Sequence, residues 1–302
     1  MSATLLLVLA WLLDVRVVAS ILAGLQPGWV ALALAVTAAQ FALSAWRWRY
    51  TALRLGTPLA YAVSVREYYL AGFVNQVLPG GVLGDVSRAW RQALRARRRG
   101  PAIRSVILER ASGQLVMALT ATGSLLLLPA LRPDGWAAYW LAGGLLVALI
   151  LAFLLARCRL ERRCRPWQRF RADTRRALFS MPAFPVQLLT SALVVGSYLL
   201  VYLIAARAVG DATPATVLVP LVPVVLLAML IPLGFAGWGV REGAAALIWA
   251  LAGLDPNQGV AIAVAYGLLV LAGSLPGAAV LWLELRRGSL VRGPAAAETG
   301  GG

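Results

Sequence analysis

The feature of this sequence that most restricts its fold is a series of long apolar runs. A helix of about 20 apolar residues has the length needed to cross the hydrocarbon core of a bilayer. Because backbone polar groups in hydrocarbon must be satisfied within the segment, each run is interpreted as a spanning α-helix. The predicted fold class is all-α, a polytopic integral membrane protein with about seven spanning helices and additional re-entrant or broken segments. The clearest runs cover residues 29–46, 103–128, 137–155, 186–206 and 261–283.

The composition supports a membrane protein rather than a soluble one. Charged residues make up 13% of the chain and hydrophobic residues 61%, whereas a soluble domain carries about 25% charged residues. The formal net charge of +16 would suggest nucleic acid in a soluble protein. Here the arginines concentrate between apolar runs, above all in residues 157–176, as in cytoplasmic loops that orient membrane helices. We therefore expect no nucleic-acid partner.

One absence and one pair of residues limit the chemistry. The chain has no histidine, which excludes imidazole metal sites, a Ser-His-Asp triad and histidine base catalysis. Its two cysteines, Cys158 and Cys164, lie in the basic 157–176 segment, where a reducing cytoplasm would keep them as thiols. We expect neither a metal nor a cofactor.

The basic segment also predicts the topology. With residues 157–176 in the cytoplasm, the alternation of spanning helices places both termini in the cytoplasm of a multi-pass protein of the cell membrane. The run at residues 5–13 is interpreted as a short first helix, because it lacks the flanks of a signal peptide. Tryptophans and arginines at residues 46–54 are predicted to anchor the second helix at the inner interface. The membrane domain is predicted to cover residues 1–288, followed by a disordered tail at 289–302.

A first broken segment lies between two stretches predicted to be cytoplasmic. Residues 68–83 are apolar and then interrupted, and one crossing cannot return the chain to the same side, so a re-entrant hairpin is predicted. If a helix begins near Gly84, Asp85 can cap it, and Arg88 shares one helix face with two further arginines that could hold a phosphate. The alternative is a cytoplasmic helix whose arginines touch inner-leaflet lipid. The predicted hinge residues are Pro79, Gly80, Gly81 and Gly84.

A second broken segment follows at residues 231–243. Arg241 and Glu242 are costly at membrane depth, and adjacent helix residues point about 100° apart. We therefore expect each of them to pair with another segment or a ligand rather than with its neighbour. The alternative is an interfacial turn with solvated charges. The predicted hinge residues here are Pro232, Gly234, Gly237 and Gly239.

A third charged position lies inside the apolar run 103–128. Arg110 could extend its side chain toward the cytoplasm, but Glu109 has no such explanation. Together with Asn75, these residues complete the predicted substrate-binding set, which is Asn75, Asp85, Arg88, Glu109, Arg110, Arg241 and Glu242.

Three separated motifs resemble the lysylphosphatidylglycerol synthase transmembrane family, also called flippase-like. In well-understood relatives the membrane module precedes a cytoplasmic aminoacyl transferase domain and moves the modified phospholipid between leaflets. This chain ends shortly after its last predicted helix, so the resemblance implies the module without the transferase. One departure is Leu83-Gly84-Asp85 where the family has Gly-Gly-Asp. The matching residues are Phe73, Asn75, Leu78-Pro79-Gly80, Gly84-Asp85, Arg88, Glu109-Arg110, Pro232, Gly237 and Gly239-Val240-Arg241-Glu242.

Three functions are compatible with these observations. The favoured one is a lipid translocase, not an enzyme, in which both broken segments form a polar cavity for a phospholipid or lipid-linked headgroup. The second is a membrane-embedded transferase with Asp85 or Glu242 as general base, although no nucleotide-binding loop or paired acidic metal motif is present. The third is a noncatalytic partner of a separately encoded synthase or transferase. Assembly into a homo-oligomer is compatible with all three.

Overall fold

The computed structural model describes residues 24–78, 81–127, 165–229 and 237–286. Within these ranges the regular structure is helical and contains no strand, which confirms the all-α class. A π-helical turn, Arg175–Phe179, follows the fifth helix. The α-helices are α1 Pro27–Arg54, α2 Tyr61–Val77, α3 Leu83–Arg95, α4 Arg99–Leu127, α5 Arg165–Thr174, α6 Phe184–Ala208, α7 Ala215–Ala228, α8 Val240–Ala252, α9 Pro256–Ser274 and α10 Pro276–Arg286.

Three helices, α1, α6 and α9, are long and apolar enough to cross a membrane. Proline stands in the first turn of each, at Pro27, Pro185 and Pro256, where its missing N–H costs no helical hydrogen bond. Helix α4 has 29 residues, or about 43 Å, and is long enough to span despite its charges. The predicted helices at 5–13 and 137–155 and the predicted tail at 289–302 lie outside the described residues.

The core forms where α1 packs on α6 and where α9 packs on α1, α6 and α8. Aromatic side chains fill its centre: the ring centroid of Tyr202 lies 5.0 Å from that of Tyr266 and 6.4 Å from that of Trp249. All three rings are buried. Burial of such rings stabilises the fold strongly because each removes a large apolar area from solvent. This core holds α8 and α9 against the other long apolar helices, α1 and α6.

Helices α2 and α3 form the helical hairpin that the sequence predicts. The chain reverses around Gly81, which has φ +62°, a conformation that glycine adopts without steric cost. A Cβ atom at Gly84 would lie 2.0 Å from the carbonyl oxygen of Ala71, so only glycine permits this approach of the two helices. Leu83 is exposed, which explains why a leucine is tolerated beside that glycine. Pro79 and Gly80 lie outside the described residues.

Helix α3 buries its charged face and exposes its apolar face, the reverse of an amphipathic helix in a soluble protein. Its Arg88 side chain is fully buried, whereas Val86 and Trp90 are each 60% exposed. An outward apolar face and an inward charged face fit a helix that contacts lipid on one side and a polar protein interior on the other. The alternative of a cytoplasmic helix whose arginines point outward to lipid is therefore wrong for Arg88.

One predicted crossing is interrupted in the structure. The run 261–283 divides into α9 and α10, because Pro276 cannot donate the hydrogen bond that would continue α9. Helix α10 then packs against α2, where a Cβ at Gly277 would lie 2.1 Å from the carbonyl oxygen of Tyr69. The sequence also predicts a crossing over residues 214–231, and within it the structure describes α7, whose 14 residues extend about 21 Å.

We expect Gly84→Ala to destabilise the α2–α3 hairpin. The added methyl group would overlap the Ala71 carbonyl, and overpacking of this kind typically costs about 1–3 kcal/mol. Thermal unfolding of the purified protein in detergent micelles measures the effect. Gly123→Ala is the matched control, because its Cβ meets no atom within 4 Å. Equal melting temperatures for the two variants would contradict the close helix approach described here.

Candidate functional site

A cavity of about 670 Å³ lies between the hairpin and helices α1, α4, α6, α7 and α9. Gly81 and Val82 of the first broken segment line it, as do Gly237 of the second and Met229, which precedes the second. Described residues of both broken segments therefore line one cavity. Gly237 has φ +80° and Gly239 has φ +84°, as expected of hinge positions, while Pro232 and Gly234 lie outside the described residues. The polar lining consists of Gln40, Ser44, Arg47, Tyr68, Asn75, Gln76, Asp85, Arg110, Gln114, Tyr198 and Tyr266.

An ionic network forms one wall of the cavity, and Glu109 is at its centre. One carboxylate oxygen of Glu109 accepts a hydrogen bond from Arg47 and another from the Tyr68 hydroxyl, the latter at 3.1 Å. Its second oxygen accepts from Arg88 at 3.0 Å. Glu109 is fully buried, and every partner stands on a different helix from α4. The network therefore joins α1, α2 and α3 to α4.

The network continues from Arg88 to Asp85. The same guanidinium nitrogen that contacts Glu109 donates to Asp85 at 2.9 Å, and Arg110 donates to the other oxygen of Asp85. That oxygen also accepts from the Asn75 amide at 2.9 Å. Asn75 in turn accepts the backbone N–H of Gly84 at 2.7 Å, so Asn75 rather than Asp85 satisfies the start of α3. The expectation that Asp85 caps this helix was wrong.

The side chains of the network differ in their access to the cavity. The Arg88 and Glu109 side chains are 0% exposed, Asp85 is 14% exposed and Arg110 is 37% exposed. Arg47 lines the cavity but is almost fully buried. Arg110 is therefore the cation of this network that a ligand in the cavity can contact most directly.

The network has an excess of positive charge. Three arginines surround two carboxylates, so one positive charge is unbalanced within the part of the chain that the structure describes. Buried charge is stabilised only when it is paired and hydrogen-bonded. The arrangement thus has the charge of an anion site, and its least buried member is Arg110.

Arg88 does not occupy the position that the sequence suggested for it. Its guanidinium carbon lies 4.6 Å from the Trp48 ring centroid and 4.3 Å from that of Tyr68, and it is not among the cavity-lining residues. Cation–π contacts and two carboxylates hold it inside the protein. Arg88 therefore connects Asp85 to Glu109 and does not reach the cavity.

Arg241 and Glu242 pair with each other, contrary to the prediction. An Arg241 guanidinium nitrogen lies 2.5 Å from a Glu242 carboxylate oxygen, whose partner oxygen accepts the Gly239 N–H at 2.5 Å. This backbone contact turns Glu242 toward the start of α8, where Arg241 can reach it. Arg241 is buried and packs over Trp238. Neither charged residue lines the cavity, although the Arg241 guanidinium carbon lies 5.5 Å from the ring centroid of Tyr266, which does line it.

A further ion cluster holds the opposite end of the hairpin. Glu67 on α2 accepts from Arg91 at 3.0 Å and from Arg95 at 2.7 Å. Arg91 also contacts both carboxylate oxygens of Glu284 on α10, at 2.5 and 2.6 Å. Together with Arg88, all three arginines expected to hold phosphate from α3 thus have protein carboxylates as partners, and this cluster fixes α10 to the hairpin.

Arg47 belongs to the ionic network, although the sequence predicted it, with Trp48, to be part of an interfacial anchor. Both side chains are buried, and Arg47 reaches Glu109 and, at 3.0 Å, Ser191. A pattern was available: Gln40, Ser44 and Arg47 follow one another at spacings of four and three on an otherwise apolar helix. Such spacing predicts a polar stripe on one face.

Among the described residues, no group of three or more histidine, cysteine, aspartate or glutamate side chains could hold a metal ion. The expectation of no metal or cofactor remains a prediction for the whole chain.

Comparison with protein families identifies the chain over most of its length. Residues 1–277 match the model of the lysylphosphatidylglycerol synthase TM region. Comparisons with curated proteins and with solved structures give no match. The match covers the charged motifs at Asp85, Glu109 and Arg241 and agrees with a helical membrane protein whose function concerns membrane lipid. The chain belongs to the lysylphosphatidylglycerol synthase transmembrane family.

Proposed function

We propose that this protein is a lipid translocase that moves a phospholipid or lipid-linked headgroup between leaflets of the cell membrane. The observation that carries the proposal is a largely apolar cavity with one polar, positively charged wall, whose outer edge is formed by apolar side chains exposed on the protein surface. Broken helices that meet at a polar site are typical of membrane transporters. The family match supports a lipid substrate.

The edge of the cavity gives the acyl chains a path. Val86 and Trp90 of α3 and Ile107 of α4 line the cavity, and each is between 46% and 60% exposed on the protein surface. These side chains therefore continue from the cavity to the surface that hydrocarbon covers. A lipid can place its headgroup inside while its chains remain outside, which avoids transferring them through polar surroundings.

The inner wall of the cavity offers hydrogen-bonding groups to the lipid headgroup. Arg110 presents a planar set of donors that suits a phosphate, while amide and phenol groups of Asn75, Gln114 and Tyr198 offer further hydrogen bonds. In this proposal Asp85 and Glu109 hold the arginines in place, and Arg241 with Glu242 supports the second broken segment from behind the cavity.

The geometry favours transport over the transferase alternative. A general base needs a free carboxylate oxygen within hydrogen-bond reach of its substrate. Asp85 already accepts hydrogen bonds from Asn75, Arg88 and Arg110. Glu242 accepts from Arg241 and the Gly239 N–H and does not line the cavity. A noncatalytic role beside a separate synthase would leave the cavity unexplained.

Leaflet exchange by the purified protein tests the proposal. The full chain would be reconstituted into vesicles that carry a fluorescent phospholipid, and chemical quenching of the outer leaflet would measure how fast the inner pool appears outside. We expect exchange above that of protein-free vesicles, with the lipid recovered unchanged in mass. Exchange at the protein-free rate, or a covalently altered lipid, would contradict a translocase.

The orientation is proposed from the charge pattern: both termini and residues 157–176 face the cytoplasm. We expect an impermeant maleimide to leave Cys158 and Cys164 unmodified in intact cells and to label them after the membrane is opened. A cysteine at Asn257, which lies at the start of α9 and faces outside in this topology, is the positive control and should be labelled in intact cells. Modification of the native cysteines from outside would invert the assignment.

A further inference from the structure

We infer that the cavity selects lipids by charge and binds a headgroup with one negative phosphodiester charge in preference to a phosphate with two. The inference rests on the proposed function for the identity of the ligand as a lipid. It goes beyond that function because it names the property of the headgroup that the protein recognises and the residue that sets it, Asp85.

The first support is the ratio of charges in the network. Arg47, Arg88 and Arg110 face Asp85 and Glu109, so one negative charge from a ligand would complete the balance among the described residues. In a site of low dielectric constant, each unbalanced charge carries a large desolvation penalty. A phosphodiester, which has one negative charge, matches the network, whereas a second charge would exceed it.

The second support is that no further described cation is available beside this cavity. Arg241 is paired with Glu242 and does not line the cavity, and Arg91 is held between Glu67 and Glu284 at the other end of the hairpin. The sequence places no ionisable side chain at residues 79–80 or 230–236, which adjoin the lining segments. The lining residues Tyr68, Tyr198 and Tyr266 are neutral donors.

The third support is the place of Asp85 within the network. Its side chain lines the cavity, contacts Arg110 directly and is partly exposed, whereas Glu109 is sealed inside. A ligand phosphate at Arg110 must therefore lie close to Asp85 as well. Repulsion between Asp85 and a second phosphate charge discriminates against a dianion, and the single charge of a phosphodiester limits that repulsion.

Lipid binding by the wild-type protein tests this selectivity without any substitution. Phosphatidylglycerol and phosphatidic acid with identical chains would be titrated against the detergent-solubilised full chain, with binding followed by native mass spectrometry. The second ionisation of a phosphomonoester has a pKa of about 6. We therefore expect phosphatidic acid to bind about tenfold more weakly at pH 8, the scale of one charge-assisted hydrogen bond, and to approach phosphatidylglycerol at pH 5. Equal affinities at pH 8 would overturn the inference.

Asp85→Asn tests the residue that sets the selectivity. The substitution keeps the shape of the side chain and leaves two positive charges unbalanced, so we expect the preference at pH 8 to shift toward phosphatidic acid by about tenfold. Asp173→Asn is the control: it removes the same charge from a pair with Arg104, and neither residue lines the cavity. An unchanged preference in folded Asp85→Asn would overturn the role of Asp85.

Binding and leaflet exchange separate this inference from the proposed function. If phosphatidylglycerol binds selectively but is not exchanged between leaflets, the translocase fails and the charge selectivity stands. If both lipids bind equally at pH 8 and phosphatidylglycerol is still exchanged, the selectivity fails and the translocase stands.

Discussion

Glu109→Gln is expected to lower the free energy of unfolding by about 3–5 kcal/mol, the range observed when one partner of a buried ion pair is removed. Glu109 is fully buried between Arg47 and Arg88, so its loss leaves two guanidinium groups without their shared carboxylate. Replacement by glutamine also places an amide donor beside donors. Denaturant titration of the purified protein in detergent micelles would measure the change.

A second substitution separates lost pairing from a general packing defect. In Arg47→Gln/Glu109→Gln the network keeps the same net charge as the wild type, so we expect the double variant to cost less than the sum of the single variants by at least about 1 kcal/mol. Asp173→Asn provides the peripheral comparison, because its pair with Arg104 is partly exposed and should contribute about 1 kcal/mol or less. Additive effects at Arg47 and Glu109 would contradict the ion pair.

The overall architecture could be predicted from the sequence because it depends on local properties. Apolar run length predicts α1, α6 and α9 as spanning helices, and the breaks at Gly81 and Gly84 predict the hairpin between two stretches of the same side. Hydrogen bonding within each helix makes such segments nearly independent of their neighbours. Pro276 also indicates a helix break in the sequence. Because the residues on both sides are apolar, a single spanning helix was predicted there.

The partners of the buried charges could not be predicted in the same way. Arg47 and Glu109 are separated by 62 residues, and Arg91 and Glu284 by 193. Such pairs form only after the helices pack. A rotation of one helix about its axis would bring different side chains into contact. The sequence therefore identified Asp85, Glu109 and Arg110 as unusual but assigned Arg88 to the cavity and separated Arg241 from Glu242.

The structure assigns different roles to arginines that the sequence treated alike. Arg88 and Arg241 are buried among aromatic rings and carboxylates, so replacing either should mainly reduce stability. Arg110 keeps more than a third of its side chain accessible and lines the cavity. A defect in lipid movement without a loss of stability is therefore the specific expectation for Arg110.

Arg110→Gln is expected to reduce the rate of phospholipid exchange between leaflets by about tenfold or more, because one charge-assisted hydrogen bond contributes about 1.5–3 kcal/mol. Glutamine keeps a polar side chain of similar reach, and Asp85 retains Arg88 and Asn75 as partners, so the fold should persist. Exchange rate and unfolding temperature would be measured on the same reconstituted preparation.

Two comparisons decide whether Arg110 contacts the headgroup or acts through structure. Arg110→Lys keeps the charge but not the planar donors, so we expect it to restore part of the exchange lost in Arg110→Gln. Arg104→Gln removes the same type of charge from α4 where Arg104 pairs with Asp173 and does not line the cavity, and it should exchange lipid at the wild-type rate. If stable Arg110→Gln also exchanges lipid at the wild-type rate, the headgroup does not bind at Arg110 and the proposed translocation path is wrong.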